Sequence, residues 1–314
     1  MRIPITLPNR RGPVFDVVGC GLNMVDQLVM VSHYPQPDSK QPIARMEYSP
    51  GGQVATAMVT CSRLGLRASY VGRFGDDVHG KWGLESLSEE GVDTNACLIA
   101  EATPNGFSVI LVDRERGTRT ILWSRPPALD LSPADIRASM VCAGRVLLVD
   151  CHDTEASTTA ARYARAAGIP TVIDVEYVRP GIDDLLAQID IIITAEAFPS
   201  ELTGRKGSGY SLRAIRDAYK PAMVCMTLGE EGSLALVGDT EIRTQGFRVP
   251  VVDTTGSGDV FRGGFIAGWI HGGNSSSAGD VLRYANAVAA LKCRGLGARS
   301  AIPTPREVDS LLRA

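Results

Sequence analysis

Short apolar runs rich in β-branched residues recur along this chain at 15–20, 68–71, 145–149, 171–174, 190–194 and 223–227, with Ala- and Leu-rich stretches such as 155–167 between them. That alternation limits the fold more than any other feature. Short continuous apolar runs suit strands buried on both faces, and helices threaded between parallel strands supply the two covers. The expectation is an α/β fold with a mainly parallel sheet between two helical layers.

Two segments break the rhythm. Residues 26–48 have alternating, Pro-punctuated strand character, and residues 107–123 read as a hairpin in which 108–112 turns at 113–117 into 118–122. The α/β core is therefore expected over 14–26, 49–105 and 125–314, with an inserted, discontinuous β unit at 27–48 and 106–124 and an extension at 1–13. With 314 residues, 44% hydrophobic and 21% charged, the chain can bury a large core. A formal charge of −3 leaves no footprint for nucleic acid or an anionic membrane, so any phosphate recognition must be local. The seven Cys form no C-x-x-C pair and read as reduced thiols, no run reaches the roughly 18 apolar residues of a membrane span, and 1–13 has no hydrophobic signal core. A cytoplasmic protein is expected.

The chemistry concentrates at 253–259, which reads D-T-T-G-S-G-D and runs into Val260-Phe261-Arg262-Gly263-Gly264-Phe265. Gly256 and Gly258 allow backbone angles closed to other residues, so successive amides can point at one spot beside the positive end of the following helix. The amides of Gly256, Ser257 and Gly258 then form an anion hole, and Asp259 in the same turn can take a proton from an attacking hydroxyl. A bare loop with an N-cap would use similar residues. Arg262, one helical turn on, either reaches a phosphate or forms a salt bridge. The four His show no metal-ligand spacing, and His152 with Asp153 follows a core strand at the end where open parallel sheets bind ligands.

The string from Val251 to Phe261 resembles the C-terminal signature of the ribokinase (PfkB) family of small-molecule kinases, D-T-x-G-A-G-D-x-F, with Ser257 for the commoner Ala. Three more stretches resemble the family in the same order: Gly51-Gly52-Gln53-Val54-Ala55-Thr56-Ala57 leading to Leu64-Gly65 and then Gly72 to Gly80; Thr227-Leu228-Gly229-Glu230-Glu231-Gly232; and Asn286 to Leu291. The resemblance covers residues 15–303 and implies a ribokinase-like three-layer α/β/α core with a small β-sheet lid over the sugar.

It also implies transfer of the γ-phosphoryl group of ATP to a hydroxyl of a small carbohydrate. Asp26, Gly51, Gly52 and Gln53 would hold the acceptor, and Thr227, Gly229, Gly232 and Asn286 would line the nucleotide. Mg2+ would bridge the phosphates, a monovalent cation such as K+ would sit at carbonyls of Asp253 and Thr255, and the lid would pair two subunits as a homodimer. The chain departs from the family twice. Thr56 stands where an Asn is usual, and the usual N-x-x-E before Leu202-Thr203-Gly204 is replaced by Ala195 and Phe198, leaving Glu196 as the nearest carboxylate for magnesium. These departures, with the tail from Ala290 to Pro303, look most like the sulfofructose kinase and ketohexokinase branch. The Arg and Asn that would read a sulfonate are missing and Arg125 is only a neighbouring substitute, which favours a neutral sugar. A nucleoside kinase on the same scaffold and a non-catalytic sugar-binding regulator are the alternatives.

Overall fold

The computed structural model describes residues 1–9, 14–116 and 118–313. Its strands are β1 (Val17–Cys20), β2 (Met24–Val31), β3 (Arg45–Gly51), β4 (Ala68–Val71), β5 (Arg73–Gly75), β6 (Leu98–Ala100), β7 (Phe107–Asp113) and β8 (Thr118–Ser124). They continue as β9 (Leu147–Asp150), β10 (Thr171–Val175), β11 (Ile191–Thr194), β12 (Met223–Thr227), β13 (Ser233–Val237) and β14 (Thr240–Thr244). The helices are α1 (Gln53–Arg63), α2 (Val78–Glu89), α3 (Ala138–Val141), α4 (Thr154–Ala166) and α5 (Ile182–Leu186), then α6 (Phe198–Thr203), α7 (Ser208–Tyr219), α8 (Ser257–Gly272), α9 (Ala278–Lys292) and α10 (Pro305–Arg313).

Eight strands form the central sheet in the order β14-β13-β12-β11-β10-β9-β1-β4. The six from β12 to β4 are parallel, and β13 and β14 close one edge antiparallel. Adjacent residues on one strand face opposite layers: Ile191 and Ile193 join the core with α1, α8 and α9, while Ile192 between them joins the core with α4 and α7. The inner strands are thus covered by apolar cores on both faces, which is why they read as largely hydrophobic runs. The α/β fold with a mainly parallel sheet between helical layers that was expected from the sequence is the fold observed.

The inserted segments form a second sheet, β3-β2-β7-β8, in which β2 pairs parallel to β7 and antiparallel to β3. β7 and β8 make the expected hairpin, with Val109 opposite Leu122; Gly117, within its turn at 113–117, lies outside the described residues. Leu28, Ile110 and Val112 on the inner face pack with Leu296. Of the extension, residues 1–9 lie against the core: Ile3 and Leu7 are buried and Arg2 bridges to Ser277, while 10–13 fall outside the described residues.

Candidate active site

Open parallel sheets bind ligands at the carboxyl ends of their strands. The residues just beyond β1, β9, β10 and β11, which are Leu22, His152, Glu176 and Ala195, all line one cavity of about 470 Å³. The inner face of the second sheet roofs it through Asp26, Ser108, Ile110 and Trp123, and the start of α8 closes it with Thr255, Gly256 and Asp259.

The acceptor side begins where β1 hands the chain to β2. Asp150 accepts the Leu22 amide at 2.7 Å and the His152 amide at 2.9 Å, clamping the crossover to the core. Two residues into β2, Asp26 is 7% exposed, and Ser108 donates to its Oδ1. Burial pushes its carboxyl up to about 6, although the nearby Arg299 charge works the other way. The Gly51-Gly52 pair is there because nothing larger fits: a Cβ on Gly51 would stand 2.1 Å from Asp26 Oδ2, and one on Gly52, whose φ is +88°, would stand 2.4 Å from the Asn23 backbone. Gly51 itself is absent from the cavity wall and offers its carbonyl to Arg299 at 2.8 Å. Gln53 opens α1 at the cavity, and both polar atoms of its buried amide lack a protein partner. Thr56, fully buried, accepts from Arg299 Nε at 3.3 Å.

The anion turn is built as its residue types suggest, with two differences. Gly256 has φ +75° and caps α8, and an added Cβ would stand 2.7 Å from that of Ala298. Gly258 is helical, so its small size serves close approach, a Cβ there meeting Arg262 Nη1 at 2.6 Å. The Ser257 amide donates to the Thr254 carbonyl at 3.1 Å, leaving Gly256 and the first-turn amides of Gly258 and Asp259 as the donors at the helix start. Asp259 is 9% exposed. Burial, and then the charges of Asp174 and Glu176, hold its carboxyl well above the ordinary range. Arg262 is buried and ion-paired to Asp174 at 2.8 Å, which decides for the salt bridge over a free phosphate ligand.

Thr227, Gly229, Gly232 and Asn286 gather elsewhere, along the antiparallel edge. Thr227 pairs with Ser233, and a Cβ on Gly232 would stand 2.1 Å from the Thr244 carbonyl. Gly229 starts a 3-10 turn, Gly229–Glu231, between those strands. The Asn286 amide donates to Ser233 Oγ and Thr244 Oγ1 at 3.2 Å. None of the four lines the cavity.

Sequence reasoning missed several cavity residues. Arg119 reaches from β8 to Thr254 Oγ1 at 2.7 Å, and Glu176, Arg179 and Glu201 line the wall. Neither Arg119 nor Arg179 has a carboxylate within ion-pair distance among the described residues. Arg125 is held in the wall by both Asp153 oxygens, at 3.0 and 2.8 Å, so its charge is already paired. The signals were hidden because each pair joins distant parts of the chain.

The implied cations fare differently. Hard divalent ions take carboxylate oxygens and water. Glu196 is exposed and outside the wall, whereas Glu176 and Glu201 present such oxygens to it, so the donor set fits magnesium with a different carboxylate from the one expected. A monovalent metal ion at Asp253 and Thr255 does not fit. The Asp253 carbonyl accepts from Lys292 Nζ at 2.9 Å, and its carboxylate is taken by the Thr255 amide and hydroxyl and by the Gly297 amide at 2.8–2.9 Å.

The chain is similar to known proteins along most of its length. Ribokinase of Haemophilus influenzae is 26% identical over 91% of this chain and 95% of its own length. A nucleoside kinase of Methanothermobacter thermautotrophicus is 25% identical over 93% and 94%. The structure of Arabidopsis thaliana ribokinase complexed with ribose and ATP superposes with a TM-score of 0.79 at 25% identity, covering 96% of this chain and 99% of that one. The family model for pfkB family carbohydrate kinases matches residues 16–305, and with its cleft at the carboxyl ends of the strands and Asp259 at the head of α8, the chain belongs to that family of ATP-dependent kinases.

Proposed function

We propose that the protein transfers the γ-phosphoryl group of ATP to a hydroxyl of a small neutral sugar. One observation carries this reading: Asp26, the unpartnered Gln53 amide and Asp259 line a single cavity closed by the N-terminus of α8. Asp26 accepts hydrogen bonds from sugar hydroxyls, and Gln53 both donates and accepts, as a polyol requires. Asp259 takes the proton from the attacking hydroxyl, and its raised pKa makes it a stronger base than an ordinary carboxylate. The amides of Gly256, Gly258 and Asp259 and the positive end of α8 hold charge on the transferred oxygens. Arg119 and Arg179 face the phosphates. Glu176 and Glu201 would hold magnesium together with the nucleotide phosphates, where it would supply charge neutralisation. Thr227, Gly229, Gly232 and Asn286 support the nucleotide side from the antiparallel edge, as the family resemblance implies.

A second acceptor class has one observation in its favour. Trp123 presents an aromatic surface to the cavity, suited to a nucleoside base, and one relative is a nucleoside kinase. ADP release measured across ketohexoses, aldoses and nucleosides decides between them; no release with any acceptor would overturn both. The outer face of the second sheet exposes Met46, Tyr48 and Leu122, on strands whose other face covers the substrate. We infer that two subunits meet there. Light scattering showing a monomer at micromolar concentration would remove that pairing.

A further inference from the structure

Lys292, the last residue of α9, is fully buried, and its Nζ donates to the Asp253 carbonyl at 2.9 Å. A buried ammonium is costly unless its charge is used, and a salt bridge on the surface would serve packing better. This one lies beneath the turn that meets phosphate. The same turn is stitched to the end of α9 by the Val252 and Asp253 amides, both donating to the Cys293 carbonyl at 2.8 and 3.2 Å. Asp253 closes the structure from the other side through the Gly297 amide at 2.8 Å. Asp253 and Asp259 are among the charges that Lys292 feels, both favouring its protonated form against the burial that disfavours it. An ammonium and a potassium ion carry the same charge, have similar size and bind carbonyl oxygens alike. A metal ion at the Asp253 carbonyl would sit against a like charge in a low-dielectric setting, where repulsion is strong.

We propose that Lys292 is the resident cation of the phosphoryl-binding turn, taking the place of an added monovalent metal ion, so that turnover is independent of K+. It is a positioning residue: it fixes the Asp253 peptide, and through it the amides at the start of α8, and adds positive charge behind them. The proposal rests on the kinase reading, and its test separates the two.

ADP release by wild-type protein should change by less than roughly twofold when tetramethylammonium, as sole monovalent cation, is replaced by K+. Lys292→Met, similar in length and uncharged, should lose on the order of 10²-fold in kcat in tetramethylammonium with little change in sugar KM, and K+ or NH4+ should restore part of the loss. Melting supplies a readout besides activity: K+ should leave the wild-type midpoint unchanged and raise that of Lys292→Met. Wild-type activation by K+ of more than about tenfold, a K+-dependent wild-type midpoint, or full turnover of Lys292→Met in tetramethylammonium would overturn the proposal. If Lys292→Met fails to fold, the wild-type salt comparison decides alone. If no acceptor gives ADP in any salt, the kinase reading fails, and the melting comparison still decides the cation.

Discussion

Replacing Asp26 with Asn should make the protein more stable and a worse sugar binder at the same time. The carboxyl is 7% exposed on the inner face of β2, and burial raises it from 3.8 to about 6 even with the Arg299 charge in its favour. For a carboxyl raised on folding, the associated stability is fully present below the unfolded value and is lost as pH rises through the folded one. The rise is worth roughly 3 kcal/mol above about pH 7, and about half of that near pH 5. Asn keeps an acceptor for Ser108 and carries no charge, so Asp26→Asn should gain stability over wild type as pH rises between those limits. Urea unfolding of both proteins near pH 5 and near pH 8 measures the difference. Trp123, on the cavity wall, reports sugar binding by fluorescence, and affinity should fall by roughly 10-fold or more in the variant. Wild-type affinity should weaken as pH drops through about 6, and that dependence should vanish in Asp26→Asn. A variant destabilised at both pH values, or binding sugar as wild type does, would refute the reasoning.

Three further substitutions probe the opposite wall and the floor. Asp259→Asn should lower kcat by roughly 10²–10⁴-fold while nucleotide affinity, measured by calorimetry, stays nearly unchanged; wild-type turnover would end its assignment as base. Gly258→Val puts a branched side chain where even a Cβ alone would stand 2.6 Å from Arg262 Nη1, and steady-state turnover should fall by roughly 10²-fold; full activity in a normally folded variant would mean the turn does not hold phosphate. Gln53→Leu removes a buried amide that has no protein partner, so unfolding should show a gain of about 1 kcal/mol while sugar KM rises roughly 10-fold, and an unchanged KM would place the sugar elsewhere.

The central sheet was legible because β1, β4 and β9 to β12 are buried on both faces and therefore mostly apolar, with polar residues such as Asp150, Asp174 and Thr194 at or near their carboxyl ends. β14, with Thr240, Glu241 and Arg243 on an exposed edge, has no such run and went unread. Ile3 and Leu7 alternate with polar or exposed neighbours, but a short segment carries too few residues for that pattern to show that it packs on the core. At the cavity, Asp259 could be picked out because the chain turns at Gly256 just before it, whereas Asp26, inside β2, was named only through the family resemblance. Lys292, Arg299 and the Arg262–Asp174 pair could not, since each acts on a partner far away in sequence and spacing says nothing about that distance. Glu196 lies outside the cavity wall for a related reason: which loop residues reach the cavity is set by the fold, and Glu176 and Glu201 are the glutamates that line it.

The segment 292–299 accounts for how two distant motifs act as one site. Arg299 donates to the Gly51 carbonyl and to Thr56, fixing the junction of β3 and α1 beside Asp26. Gly297 donates to Asp253, Lys292 donates to the Asp253 carbonyl, and Ala298 packs against Gly256, fixing the anion turn. Leu296 reaches the inner face of the second sheet beside Leu28 and Ile110. The Gly51-Gly52 pair, the turn before α8 and the second sheet therefore rest on one stretch of chain at and after the end of α9. Its two buried cations lie near the two carboxyls: the Arg299 charge works against the burial that raises Asp26, and Asp253 and Asp259 favour the charged form of Lys292. One segment thus supplies buried cations beside the cavity-lining carboxyls, in addition to Arg119 and Arg179 in the wall itself. This is the arrangement a site needs if it must keep a base ionisable while excluding water from a phosphoryl group in flight.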